Sequence, residues 1–124
     1  MPSKIYSHAS WVLRFGMMLA IALSPSFLSA HALLRESTPA AGSTIYGPRL
    51  KIKLRFNARI DGKRSQLELV TPDRRSLPLG LESQDSPEIV TAHVALRAGS
   101  YRLRWQVLAV DGHITRGEIP FNVK

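Results

Sequence analysis

Between Leu50 and Phe56 the chain reads Leu-Lys-Ile-Lys-Leu-Arg-Phe, with apolar and cationic residues in strict alternation. An extended strand points successive side chains to opposite faces, so it alone sorts such a run into one dry face and one wet face. Tyr101 to Val110 repeats the pattern, with Arg102 and Arg104 set between Tyr101, Leu103 and Trp105. Shorter strand-like runs cover Gln66–Val70, Ile89–Leu96 and Ile119–Val123, and Asp61-Gly62, Thr71-Pro72-Asp73, Gly80 and Asp111-Gly112 read as turns between them. No segment of this part of the chain keeps a helical period. Many short strands without crossover helices predict an all-β domain, an antiparallel β-sandwich or barrel rather than a parallel sheet. Parity also names the core. Leu50, Ile52, Leu54 and Phe56 share one face, Tyr101, Leu103, Trp105, Val107 and Ala109 a second, and Ile119, Phe121 and Val123 a third. Pro120 cannot donate to a ladder, which predicts an edge position or a bulge in the last strand.

The first thirty residues are built differently. Lys4 and Arg14 are their only formal charges, Phe15–Leu23 is an apolar run, and small residues cluster near Ala30. This is the layout of a secretory signal, and roughly ten apolar residues fall short of the ~18 a spanning helix requires. Residues 1–30 are therefore expected to be a signal peptide and 31–124 the exported domain. Two cuts compete. Cleavage after Ala30 places Leu28 at the −3 position, whereas cleavage after Ala32 gives the better small-x-small triplet Ala30-His31-Ala32 but discards His31.

Removal of thirty residues leaves 94, enough for one small domain. That domain has no cysteine, and Met1, Met17 and Met18 all precede it, so no soft sulfur ligand remains for Cu(I). It keeps 15 basic and 9 acidic residues, a formal charge of +6. The cations at 51, 53, 55, 102 and 104 occupy the outward positions of strands and no nucleic-acid motif accompanies them. They read as a solvated face, with attraction to anionic headgroups as the alternative, and nucleic acid is not an expected partner.

Asp111 and His113 stand two residues apart, a spacing that points both side chains the same way in an extended segment, with Gly112 leaving room between them. Asp-Gly is equally an ordinary turn. His93 shares parity with Ile89, Thr91 and Ala95 and is expected on the exposed face rather than as a ligand.

His31-Ala32-Leu33-Leu34-Arg35-Glu36-Ser37-Thr38-Pro39-Ala40-Ala41-Gly42-Ser43, Leu54-Arg55-Phe56, Ala98 through Trp105, and Val110-Asp111-Gly112-His113 on to Gly117 and Phe121 together resemble the CopC family of periplasmic copper-binding proteins. The resemblance spans nearly all of residues 31–124, and an H-A-x-L-x-x-S-x-P-A start combined with a W-x-x-x-x-x-D-x-H ending is specific. It implies a Greek-key antiparallel β-sandwich of about seven strands, of the immunoglobulin or cupredoxin kind, a mature chain that begins at His31, and a single Cu(II) ion held by the α-amine and imidazole of His31, the carboxylate of Asp111 and the imidazole of His113. Three nitrogens and one oxygen suit tetragonal Cu(II). Many relatives carry Ser-Glu after the phenylalanine of the first long strand, the glutamate having been considered a further ligand; here Asn57-Ala58 follows Phe56. Relatives with a Cu(I) site use a methionine-rich segment, so the resemblance points to a Cu(II)-only, methionine-poor variant.

The expected function is periplasmic Cu(II) binding for buffering, transport or resistance, with delivery to a CopD-type membrane protein and no enzymatic activity. An amine and two imidazoles on copper also occur in lytic polysaccharide monooxygenases, which makes an oxidative copper enzyme the alternative. Asp111 opposes that, since a carboxylate disfavours cycling to soft Cu(I). A metal-free structural sandwich is the third reading.

Overall fold

The structure, a computed structural model, describes residues 32–124. Among the described residues eight strands form two sheets: β1 (Leu34–Thr38), β2 (Thr44–Ile45), β3 (Arg49–Phe56), β4 (Ile60–Val70), β5 (Ser76–Leu79), β6 (Ile89–Ala95), β7 (Gly99–Ala109) and β8 (Ile114–Val123). One sheet has the order β1-β3-β6 and the other β2-β8-β7-β4-β5, so the domain is the expected β-sandwich. All pairings are antiparallel except the two-residue contact of β2 with β8.

The alternating runs form the strands that face each other across the core. Leu50, Ile52, Leu54 and Phe56 of β3 meet Tyr101, Leu103, Trp105, Val107 and Ala109 of β7 and Ile119, Phe121 and Val123 of β8, all buried. Phe56 and Trp105 pack edge to face with ring centroids 5.2 Å apart, and a Cβ on Gly117 would lie 2.4 Å from Trp105 Cζ2. The indole thus occupies the space a side chain at 117 would need.

Two sequence expectations are corrected. Asp61-Gly62 is not a turn but lies within β4, which starts at Ile60; the β4–β7 register shifts between Asp61 and Gln66. Ser65 closes this gap, its hydroxyl donating to the Asp61 carbonyl at 2.7 Å and accepting from the Leu108 N–H at 3.1 Å. A buried hydroxyl here does what a regular ladder would otherwise do. Pro120 sits inside the pairing rather than at an edge or a bulge, with Arg102 opposite in an unshifted β7–β8 register. Its carbonyl accepts from the Gly42 N–H at 2.7 Å, on the side away from β7, so the missing N–H falls where the β7 ladder needs none.

Candidate metal centre

Asp111 and His113 occupy the β7–β8 connection. Ala109 donates to the His113 carbonyl at 2.9 Å and Gly112 donates to the Ala109 carbonyl at 2.9 Å, closing a three-residue loop over Val110–Gly112. Gly112 takes φ +95°, the conformation that ends such a loop and that suits glycine. Convergence of the two side chains therefore comes from a tight turn and not, as the spacing alone suggests, from an extended segment. Asp111 Oδ1 accepts from the His113 backbone N–H at 3.1 Å, and Asp111 Oδ2 lies 3.2 Å from His113 Nδ1.

The His113 backbone N–H, with the ring behind it, holds the Asp111 carboxyl below its ordinary value against a smaller opposing effect of burial. The side chains are 38% and 52% exposed, so an ion arriving from solvent can reach both. An oxygen and a nitrogen 3.2 Å apart are near the spacing of neighbouring ligands on one ion, about 2.9 Å for ~2 Å bonds at right angles. Among the described residues no group of three or more His, Cys, Asp or Glu side chains is assembled. His31, expected to be the remaining ligand residue, lies outside the described residues, as does the expected signal segment.

The first described residues are linked to this turn through one loop. Ala32 is fully buried in the core, and Leu33 is held to the β3–β4 loop at two points: its N–H donates to Asn57 Oδ1 at 2.7 Å and its carbonyl accepts from the Asn57 N–H at 3.0 Å. Two residues further on, the Arg59 carbonyl accepts from the Val110 N–H at 3.1 Å. One short loop thus touches both the start of the domain and the Asp111 turn. Nothing local in the sequence marks Asn57, because the pairing that gives it a role spans 24 residues.

His93 is separate from this end. It is exposed on β6 opposite Lys51, four residues or about 13 Å along β3 from Arg55, and its Nδ1 contacts Glu82 Oε1. The His93 contact lowers the Glu82 carboxyl below its ordinary value. Beside the site, Thr115 Oγ1 is buried without a hydrogen-bond partner.

The sandwich is shared with known proteins. The CopC domain family matches residues 34–124, and the chain belongs to that family. It is 31% identical to copper resistance protein C of Xanthomonas campestris pv. juglandis over 117 residues, covering 87% of this chain and 91% of that one. Protein YobA of Escherichia coli K12 is 29% identical over 117 residues, covering 90% and 94%. Among solved structures, CopC from Methylosinus trichosporium OB3b superposes with a TM-score of 0.71 at 28% identity, covering 76% of this chain and 94% of that one. PcoC, a methionine-rich copper resistance protein from Escherichia coli, gives 0.65 at 28% identity, covering 77% and 100%.

Proposed function

We propose that this protein is exported to the periplasm, is cut between Ala30 and His31, and carries one Cu(II) ion as cargo. The ligands are the α-amine and imidazole of His31, the Asp111 carboxylate and the His113 imidazole. The observation that supports this most is the Asp111–His113 pair, partly exposed on a hairpin tied through the Val110–Arg59 bond to the loop that also grips Leu33. Residue 31 is covalently joined to Ala32, which limits its Cα to about 3.8 Å from that of the buried Ala32. A nitrogen-rich set completed by a carboxylate favours Cu(II) over Cu(I), and with every methionine ahead of residue 19 the domain has no thioether for the reduced ion. We read the protein as a binding protein that buffers copper and delivers it to a CopD-type membrane partner, not as an enzyme.

Intact mass and N-terminal sequencing of the exported protein, followed by Cu(II) titration under electron paramagnetic resonance, test the reading. The expected result is a chain starting at His31 that binds one equivalent with nitrogen hyperfine structure and negligible reductant-dependent oxygen consumption. A mature chain starting at Leu33, or no stoichiometric binding, overturns it. Sustained oxidation of a polysaccharide would replace it with the monooxygenase alternative.

A further inference from the structure

We infer that Asn57 is a positioning residue for the metal centre: its side-chain carbonyl stands in for a backbone ladder carbonyl and ties the first residues of the domain to the loop that is itself bonded to the Asp111 turn. The inference rests on the copper reading above. Regular β1–β3 pairing ends at Leu34 opposite Phe56, with an irregularity already between Leu34 and Glu36. One step further, an antiparallel hydrogen-bonded pair would exchange two backbone bonds. Only one survives in that form, from the Asn57 N–H to the Leu33 carbonyl, because the chain bends away from β3 after Phe56. The other partner of the pair, the Leu33 N–H, is met by Asn57 Oδ1 at 2.7 Å.

The loop that bends away then reaches Val110 through the Arg59 carbonyl. Asn57 and Arg59 are two residues apart, so their Cα atoms stand within about 7 Å of each other. Through that span the segment leading to His31 and the hairpin bearing Asp111 and His113 are held in one frame. A chelating terminus that is free to swing pays for its ordering when the ion binds; one already tethered at its third residue pays less. Ala58 lies between the two anchors, carries no ligand atom and packs against the core.

Asn57→Ala removes Oδ1 and keeps the backbone bond. The lost bond is exposed, so water can replace it and the fold should survive with its melting behaviour nearly unchanged. Three readings are taken on the chain starting at His31: amide exchange at Leu33, Cu(II) affinity, and the resonance spectrum. Asn57→Ala should accelerate Leu33 exchange, weaken Cu(II) binding about 10- to 100-fold, as loss of an outer partner typically does, and broaden the spectrum. Asn57→Asp, which keeps an acceptor in the same place, should restore all three. In a chain beginning at Ala32, where no His31 remains to be positioned, Asn57→Ala should change the residual affinity less than about twofold. Unchanged affinity in the His31 chain, or the same fold loss in both chains, overturns the positioning role while leaving the copper reading intact. Absence of one-equivalent binding by the unsubstituted His31 chain overturns both.

Discussion

Two turns of this molecule carry the same local device and end in different chemistry. In the β4–β5 turn, Asp73 meets Arg75 two residues on, Oδ2 to Nε at 3.0 Å; in the β7–β8 turn, Asp111 meets His113 two residues on at 3.2 Å. Each turn has one residue at positive φ, Arg74 at +64° and Gly112 at +95°. Each lowers its carboxyl below the ordinary value, Asp73 chiefly through the Thr71 hydroxyl and Asp111 chiefly through the His113 backbone N–H. The partner makes the difference. A guanidinium only donates and stays charged, so the Asp73 pair is closed to a metal, whereas a neutral imidazole offers a lone pair. Position makes the second difference, since the Asp111 turn is hydrogen-bonded to the loop that grips Leu33.

The sharpest test exchanges the partners. His113→Arg should turn the second motif into the first, keeping the fold and losing Cu(II) affinity by more than about 100-fold, the loss expected when a nitrogen ligand becomes a cation. Arg75→His, made in the His113→Arg chain, should create the same pair at the other turn yet bind no stoichiometric copper, because no terminal chelate is near. Titration calorimetry on both variants decides. Tight copper binding by Arg75→His, in a chain that also carries His113→Arg, would show that the local pair suffices and that the terminus is dispensable.

Backbone strain distinguishes the turns next. Gly112→Ala places a Cβ at φ +95° and should destabilise the domain by about 1–2 kcal/mol, although nothing lies within 4 Å of the new atom. Arg74→Gly should move the other way, by at most about 1 kcal/mol, because an existing Cβ at φ +64° is relieved while the unfolded chain gains freedom. Urea midpoints on the metal-free proteins give both numbers. Equal and small effects would mean that neither turn is held to its conformation.

The sequence disclosed whatever alternates. β3, β7 and β8 were legible because each buries every second residue against the opposite sheet, and parity named their core residues correctly. β1 was not, since Leu34–Thr38 follows no two-residue period and its pairing with β3 is irregular; nor was β5, exposed along nearly all its length with Pro78 inside it. Asp61-Gly62 misled because a residue pair that favours turns also suits a shifted ladder repaired by Ser65. At the candidate site, the spacing of Asp111 and His113 disclosed their meeting but attributed it to extended backbone. Asn57 stayed hidden because its meaning depends on a partner brought up by tertiary pairing.

Thr115 adds a smaller asymmetry between the two turns. Its buried hydroxyl lacks a partner two residues beyond His113, and Thr115→Val should stabilise the metal-free domain by about 1 kcal/mol through removal of that unmet group. The same substitution measured with Cu(II) present shows whether the hydroxyl gains a use in the loaded site. An equal gain in both states would make it a bystander.

The least effect is expected from acid, and there the two turns should behave alike. Each aspartate has a folded-state value below its unfolded value, so each contributes stability that is present above the unfolded carboxyl range, near pH 4, and is lost as pH falls through the lowered folded value. Asp73→Asn and Asp111→Asn should therefore each flatten the decline in metal-free stability between pH 7 and pH 2.5, with little change in slope above pH 5. Copper separates them again. With Cu(II) bound in the proposed site, Asp73→Asn should keep its small acid effect, whereas Asp111→Asn should also weaken copper binding, though less than His113→Ala, because it leaves the proposed amine and imidazole ligands in place. Protons compete with copper for amine and imidazole ligands, so in the proposed site the copper-dependent part of stability should disappear first on acidification and the carboxylate part afterwards. A single acid transition unaffected by Asp111→Asn, with and without copper, would show that this carboxylate neither braces its turn nor touches the metal.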